Sequence, residues 1–425
     1  MTASLLHAPR LHRTVLENGL TILVLENPVA DIVSARLFIR AGKAQEAPEA
    51  AGLASFLMGL LTKGTQTLSS LEIAEAVESV GASLGTDAAA DYSVISLKTV
   101  SADFGPILSL AASLLRSPSF PEPEIDLEQR LTLQQIRSMQ EQPFTVAFNQ
   151  LRQDMYGDHP YSLPGIGTEA TVATFHRQQL FDFHQQYFRP DNMVVTIVGR
   201  ITPVEAVAQV EQVLGDWTAP DMALQGVVFP AVPSTGHCSV AIQDTNQAIV
   251  MVGYPAASVK HPAYAALKLL NTYLGNGLSS RLFVELREKR GLAYDVSAFY
   301  PTRLGQSQFV AYMGTAPENA ATALEGLRFE VERLRDTLLS EDELQAAKNK
   351  LLGQYALGKQ TNAQIAQLLG WYEILGLGVE FDQHFQEMTT AVTAKDAQDI
   401  AQEFFHTPYI SLLGPEAAVM PLAAG

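Results

Sequence analysis

The chain has 425 residues, 47% of them hydrophobic, and its 28 basic against 45 acidic side chains give a formal net charge of −17. Such a composition excludes global disorder, and the negative balance argues against a nucleic-acid binder or a protein docking on anionic lipid, both of which need a basic face. Length predicts two or three domains, while the single Cys238 excludes internal disulfides and cysteine-rich metal sites and points to a reducing, cytoplasmic setting.

In chain order, the opening MTASLLHAPRLHRTVLENG lacks the apolar core of a signal peptide. ADIVSARLFIRAG is β-branched, alternating and ended by glycine, which predicts a strand. Residues 50–61, AAGLASFLMGLL, predict a helix that is apolar nearly all round and therefore buried. This is also the longest apolar stretch, too short to span a bilayer. Its interior Gly59 costs about 1 kcal/mol relative to Ala. A helix over 69–80 opens on the capping box Ser69-x-x-Glu72 and stops at Gly81. A period-two run over 92–100, an amphipathic helix over 105–116 and the loop SFPEPEIDLE, opening a further helix, follow. The first half closes on a strand in FRPDNMVVTIVGR.

The second half repeats this order. NQAIVMVGYPA matches the first strand, a helix over 262–274 follows, another helix ends at Gly291, and a period-two run over 308–313 leads into a helix over 316–335. LLSEDELQAA again opens a helix. Gly81 and Gly291 stand 210 residues apart, about half the chain. The reading is a duplicated α/β protein of the α+β type: domains 1–217 and 236–425 joined by a Pro/Gly-rich linker over 218–235. Hairpins dominate over strand–helix–strand crossovers, so each domain is expected to hold a mostly antiparallel sheet with helices on one face.

Familiar catalytic signatures are missing. The sequence has no GxSxG elbow and no P-loop, and no two histidines stand at i, i+4. The GxG of LGNGLSS reads as a loop entering a helix rather than a phosphate cradle, and His159 in YGDHPY reads as a turn histidine.

The stretch AAGLASFLMGLLTKGT resembles the signature helix of the pitrilysin/insulin-degrading-enzyme family of zinc peptidases, the inverted zincins, whose helix carries His-x-x-Glu-His. The frame is kept and the functional letters are replaced. Ser55 stands in the first histidine slot, Met58 in the glutamate slot and Gly59 in the second histidine slot. The family's third zinc ligand, a glutamate about 76 residues on, falls at Gln135, with Gln134 in place of its acidic neighbour; of the family's acids around the metal ligands only Glu128 survives. A hydroxyl, a missing side chain and a neutral amide do not replace two imidazoles and a carboxylate, and a thioether cannot act as general base. This chain is therefore expected to hold no metal and no cofactor.

HRTVLENGLTILVLENP, YGDHPYSLPGIGT and LGNGLSSRLFVELREKRGLAYDVSAF resemble further blocks of that family, so the likeness covers nearly the whole chain. The last block keeps an arginine and, seven residues on, a tyrosine: Arg287 and Tyr294. By themselves these read as a surface arginine and a core tyrosine with a wet hydroxyl. The resemblance implies instead that they hold the substrate backbone and the developing oxyanion across a chamber. It further implies a clamshell dimer: a non-zinc subunit of a two-chain peptidase, its partner a homologous chain bearing His-x-x-Glu-His and zinc, acting on unfolded peptides, with no nucleic acid and no membrane involved. The alternative is a catalytically inert structural or peptide-binding homologue.

Overall fold

A computed structural model describes residues 11–224 and 226–423; most of the opening segment that lacks a signal-peptide pattern lies outside them. Eleven strands are formed among the described residues: β1 (His12–Val15), β2 (Thr21–Glu26), β3 (Val33–Ile39), β4 (Ser83–Ala88), β5 (Ser93–Thr99), β6 (Met193–Gly199), β7 (His237–Ile242), β8 (Ala248–Ala256), β9 (Ala293–Phe299), β10 (Ser307–Thr315) and β11 (Tyr409–Gly414). The helices of the first half are α1 (Leu53–Leu60), α2 (Ser70–Glu78), α3 (Phe104–Arg116), α4 (Glu122–Gln140), α5 (Pro143–Tyr156), α6 (Glu169–Val172), α7 (Arg177–Tyr187) and α8 (Pro203–Leu214). Those of the second include α9 (Tyr264–Gly275), α10 (Ala320–Asp336), α11 (Glu341–Leu357) and α12 (Asn362–Ile374). No helix among the described residues is long and apolar enough to cross a membrane.

Local chemistry sets the element ends. Ser69 accepts from the Glu72 N–H, and the Glu72 carboxylate takes the Ser69 N–H at 2.8 Å, so the predicted capping box starts α2. At the other end Gly81, at φ +63°, places its N–H on Glu78 O and the Ala82 N–H on Val77 O, the Schellman closure.

The sheets carry the duplication in their topology. One has the order β1-β2-β6-β3-β5-β4, the other β7-β11-β8-β10-β9. In the first, β2 and β6 run parallel and the β6–β3, β3–β5 and β5–β4 pairs are antiparallel. In the second, β7 and β11 run parallel and the β11–β8, β8–β10 and β10–β9 pairs are antiparallel. Strand for strand the five-stranded pattern is the same, with β1 an added edge. The central strands are apolar on both faces, as Met193–Gly199 and Ala248–Ala256 are buried throughout.

Two compact units result, each around one sheet: Met1–Gln134, Gly165–Val227 and Leu357–Phe381 in the first; Gln135–Pro164, Val228–Ala356 and Asp382–Gly425 in the second. These units do not follow the sequence halves 1–217 and 236–425. In the first unit α12, from the second half, packs on β3 and β6; in the second unit α5, from the first half, packs on β8 and β11. Close approach needs a glycine in each case. A Cβ on Gly370 of α12 would strike the Phe38 ring and Thr196, and one on Gly253 of β8 would lie 2.8 Å from Met155 Cε of α5. The apolar faces of these helices mark them as buried without naming the sheet that buries them.

Candidate functional site

The α1 helix begins at Gly52, whose φ of +97° and close approach to Gly167 (a Cβ would lie 2.6 Å from its nitrogen) leave no room for another residue. Its free amide groups are met by the Glu46 carboxylate, which accepts from Gly52 N at 2.8 Å and Ala54 N at 2.7 Å. Burial pushes Glu46 up to about 7, against the opposing pull of those two N–H groups and of Lys43.

Ser55 Oγ donates to the Gly165 carbonyl at 2.8 Å, closing α1 onto the 159–167 loop. Met58 is 1% exposed and lies in the core, its carbonyl accepting from Thr86 Oγ1 at 2.7 Å. A Cβ built on Gly59 would stand 2.8 Å from Glu128 Oε1, so the retained acid fills the space an imidazole would take. Glu128 itself is raised by burial, with Lys63 opposing and Glu124 adding to the shift. On α4, two turns beyond Glu128, Gln135 is exposed, as is Gln134. Among the described residues no group of three or more His, Cys, Asp or Glu side chains could hold a metal ion. The side chains at 55, 58, 59 and 135 do not fit a zinc ion: one donates to a backbone carbonyl, one is packed core, one is absent and one is a neutral amide.

Arg287 and Tyr294 both lie in the second unit, on either side of a chain reversal. Sequence predicts an ordinary helix ending at Gly291; Phe283–Glu288 forms a π-helical turn instead. Gly291, at φ +63°, then closes it one residue wider than at Gly81: the Leu292 N–H reaches Leu286 O at 3.0 Å and the Gly291 N–H reaches Arg287 O at 3.1 Å. Thr315 Oγ1 donates to Leu292 O at 2.5 Å and pins the turn to β10.

The strand that follows is irregular as well. On β10, Gly314 pairs with Asp295 and Thr315 with Ala293, which leaves Tyr294 as the extra residue of a β-bulge on an edge strand. Its side chain is 60% exposed and makes no hydrogen bond among the described residues.

Basic residues of the preceding segment divide into two kinds. Arg281 pairs with Glu330 at 2.8 Å and with Glu285 at 3.1 Å, and Lys289 pairs with Glu285 at 2.8 Å. Arg287 forms no ion pair among the described residues; its guanidinium lies 5.0 Å over the Phe283 ring, which restricts it while leaving its N–H donors in solvent. The chain thus presents one oriented cation and one free phenol on two adjoining backbone irregularities.

His159 is the turn histidine the sequence suggested: 2% exposed, it accepts the Tyr161 N–H on Nδ1 at 3.1 Å, and burial pushes it down to about 4. The GxG loop is tied to α11, where Lys350 Nζ donates to Asn276 O. The Glu46 cap has no sequence signal: it stands six residues before Gly52, outside any capping-box spacing.

Comparison with known proteins covers the length of the chain. Residues 21–169 match the profile of insulinase, peptidase family M16, and residues 174–351 match that of the peptidase M16 inactive domain. Among curated proteins, an uncharacterized zinc protease of Bacillus subtilis is 26% identical over 407 residues, spanning 95% of this chain and 98% of its own. One of Mycobacterium leprae is 28% identical over 415 residues, spanning 96% of this chain and 92% of its own. Among solved structures, a peptidase M16 inactive domain from Pseudomonas fluorescens aligns with a TM-score of 0.90 at 25% identity, covering 96% of this chain and 98% of that one. A protease from Helicobacter pylori shares the fold, with a TM-score of 0.90 at 21% identity over 96% of this chain and 100% of that one.

Proposed function

The chain belongs to peptidase family M16, matched in both of its halves, and on that footing we propose that it is a non-zinc subunit of a two-chain zinc metallopeptidase. Its partner is a homologous chain that carries the His-x-x-Glu-His helix and the zinc. The substrates are unfolded peptides, and the setting is the cytoplasm. The observation that carries this reading is the presentation of Arg287 and Tyr294: exposed, without carboxylate or hydroxyl partners among the described residues, and held on a π-turn and a β-bulge. A chain with a purely structural role has no use for an unpaired cation and phenol on two backbone irregularities, whereas Ser55, Met58 and Gly59 of α1 have settled into packing.

The chemistry of the pair fits a peptide carbonyl. A guanidinium and a phenolic O–H are donors, and donors aimed at the oxygen where negative charge develops stabilise the transition state more than the ground state. Residues 287 and 294 would supply that to the partner's site and would hold the substrate backbone.

The test is hydrolysis of a quenched fluorescent peptide by each chain alone, by the mixture, and by mixtures containing variants. This chain alone should not cleave, the mixture should, and chelation should abolish the activity. Arg287→Ala or Tyr294→Phe should lower turnover about 10²–10³-fold, the range for losing one oxyanion donor, while the heterodimer still forms on a sizing column. Full activity of both variants in a verified heterodimer would hand first place to the inert structural or peptide-binding reading.

A further inference from the structure

A second group of cations lies in the same unit, away from Arg287 and Tyr294 in sequence and without a carboxylate ion-pair partner among the described residues. It consists of Arg152 on α5, Lys268 on α9 and Arg303 in the β9–β10 turn, all half-buried. Arg152 donates from Nε to Ser162 O and from Nη2 to Asn149 Oδ1, both at 2.9 Å, and lies 5.5 Å from the Phe148 ring. Arg303 donates to Thr302 O at 3.1 Å and lies 5.4 Å over the Tyr161 ring. Lys268 donates to Tyr300 O at 2.8 Å and sits 4.9 Å and 5.3 Å from the rings of Tyr300 and Tyr264.

Shared neighbours hold the three together. Tyr161 carries Arg303 and its successor Ser162 carries Arg152, while a 2.7 Å hydrogen bond between Tyr264 and Thr302 ties the Lys268 helix to the Arg303 turn. Burial and the nearby Arg303 together push Arg152 down to about 10 and Lys268 down to about 8. At neutral pH Arg152 and Lys268 are still mainly charged. On the Tyr161 ring also lies buried His159, ring centroids 4.7 Å apart; its Nδ1 accepts from Tyr161 N, so its Nε2 carries the hydrogen, and that donor has no partner among the described residues.

Gathering like charges in a partly desolvated, aromatic-walled place is unfavourable unless a counter-charge joins them. In a chain of net charge −17 carboxylates are abundant, yet among the described residues none forms an ion pair with these three. Each guanidinium has five N–H donors and the ammonium three, and most of them meet no acceptor among the described residues. The geometry points to a binding site for a small oxyanion of at least two charges, a phosphate or a dicarboxylate, held by Arg152, Arg303 and Lys268. A single charge would leave two cations uncompensated, which is why a multivalent ion is assigned. This site stands independently of the peptidase reading.

Isothermal titration of the whole chain with inorganic phosphate, with succinate and with chloride at matched ionic strength tests it. Saturable binding of phosphate or succinate, but not chloride, is expected, and the tighter of the two identifies the source. Arg303→Gln should weaken binding by at least about tenfold, the loss of one charged hydrogen-bond donor, and Arg303→Lys should recover part of it. Arg328→Gln, which removes a cation of the exposed Arg328–Glu332 pair, should leave binding unchanged. Far-UV circular dichroism and a thermal melt establish that each variant is folded. The assignment is overturned if neither anion binds saturably to the wild-type chain, or if a folded Arg303→Gln variant binds as the wild type does.

Discussion

The carboxylate of Glu46, held against the first turn of α1, is pushed up to about 7 from an ordinary 4.5. A raised value means that the folded chain keeps a proton that the unfolded chain releases. The stabilisation from this group is therefore complete below pH 4.5 and is lost as the pH rises to 7. His159 and His184 act in the opposite sense. Burial pushes both from 6.5 to about 4, so their contribution is complete above 6.5 and is lost as the pH falls towards 4. The two slopes overlap and partly cancel in the wild-type chain, and Glu46→Gln separates them. Between pH 4.5 and 7.5 the stability of the wild type relative to Glu46→Gln should fall by about 2–3 kcal/mol, from 1.36 kcal/mol per pKa unit. Urea denaturation of both chains at the two pH values reads it; a pH-independent difference would return Glu46 to the ordinary range. Met58 gives a second residue-scale test of the zinc-helix slots. At 1% exposure, Met58→Glu would bury a carboxylate in a packed core position and should cost about 3 kcal/mol or more. Met58→Leu, a volume-conserving change, should cost under about 1.5 kcal/mol. Equal midpoints for the two variants would mean that position 58 is not the packed core position seen here. Ser55→Ala should cost only about 1 kcal/mol, one hydrogen bond to Gly165 O.

Gly81 and Gly291 offer a matched comparison at the level of the element. Both have φ +63°, and neither would bring a Cβ within 4 Å of another atom, so substitution to Ala perturbs only the backbone preference. Each Gly→Ala should lower stability by about 1–2 kcal/mol. Only Gly291→Ala alters the turn between Arg287 and Tyr294, so in the two-chain assay only that variant should lose activity beyond what its melting temperature accounts for. Equal activity of the two variants would remove the π-turn from the functional argument. The same two elements show where sequence reasoning reaches its limit. Ser69-x-x-Glu72 and the closing Gly81 are local signals, and the helix forms as they predict. AYDVSAF, by contrast, reads as a plain strand, because the bulge at Tyr294 arises from its register against Thr315 and Gly314 on β10, some twenty residues away. The π-turn depends on Leu292 reaching back to Leu286, and no residue type at 283–288 announces it. The resemblance singled out Arg287 and Tyr294 as a pair, while the backbone that presents them is a tertiary property. For the same reason the cations at 152, 268 and 303 carry no motif: they are drawn together by three separate elements.

The duplication was legible at the scale of the whole molecule because each half repeats strand, helix, glycine and hairpin in the same order, and the two sheets share one topology. The exchange of α5 and α12 was not legible, since an amphipathic helix specifies only that one face is buried. The exchange has a direct physical consequence. On the second unit's sheet α5 contributes the buried Ala147, Leu151, Met155 and Tyr156, and on the first unit's sheet α12 contributes Ala366, Gly370, Tyr372 and Ile374. Burying a large apolar side chain is worth about 1.5–3 kcal/mol, so losing three in one unit removes an amount comparable to the 5–15 kcal/mol of a typical domain. A chain cut in the linker, into 1–226 and 227–425, therefore divides each compact unit instead of separating the two. Fragment 1–226 lacks the helix that covers β3 and β6, and fragment 227–425 lacks the helix that covers β8 and β11. Each fragment alone should melt without a cooperative transition and bind a hydrophobic dye. Refolded together they should give a one-to-one complex with the circular dichroism of the intact chain and one cooperative melt, because every missing helix is then supplied by the other piece. Sedimentation and thermal melts of the three samples decide it. A monomeric, cooperatively unfolding 1–226 fragment would mean that the first sheet is stable without α12, and the exchange would then be incidental to folding rather than the reason the two halves act as one chain.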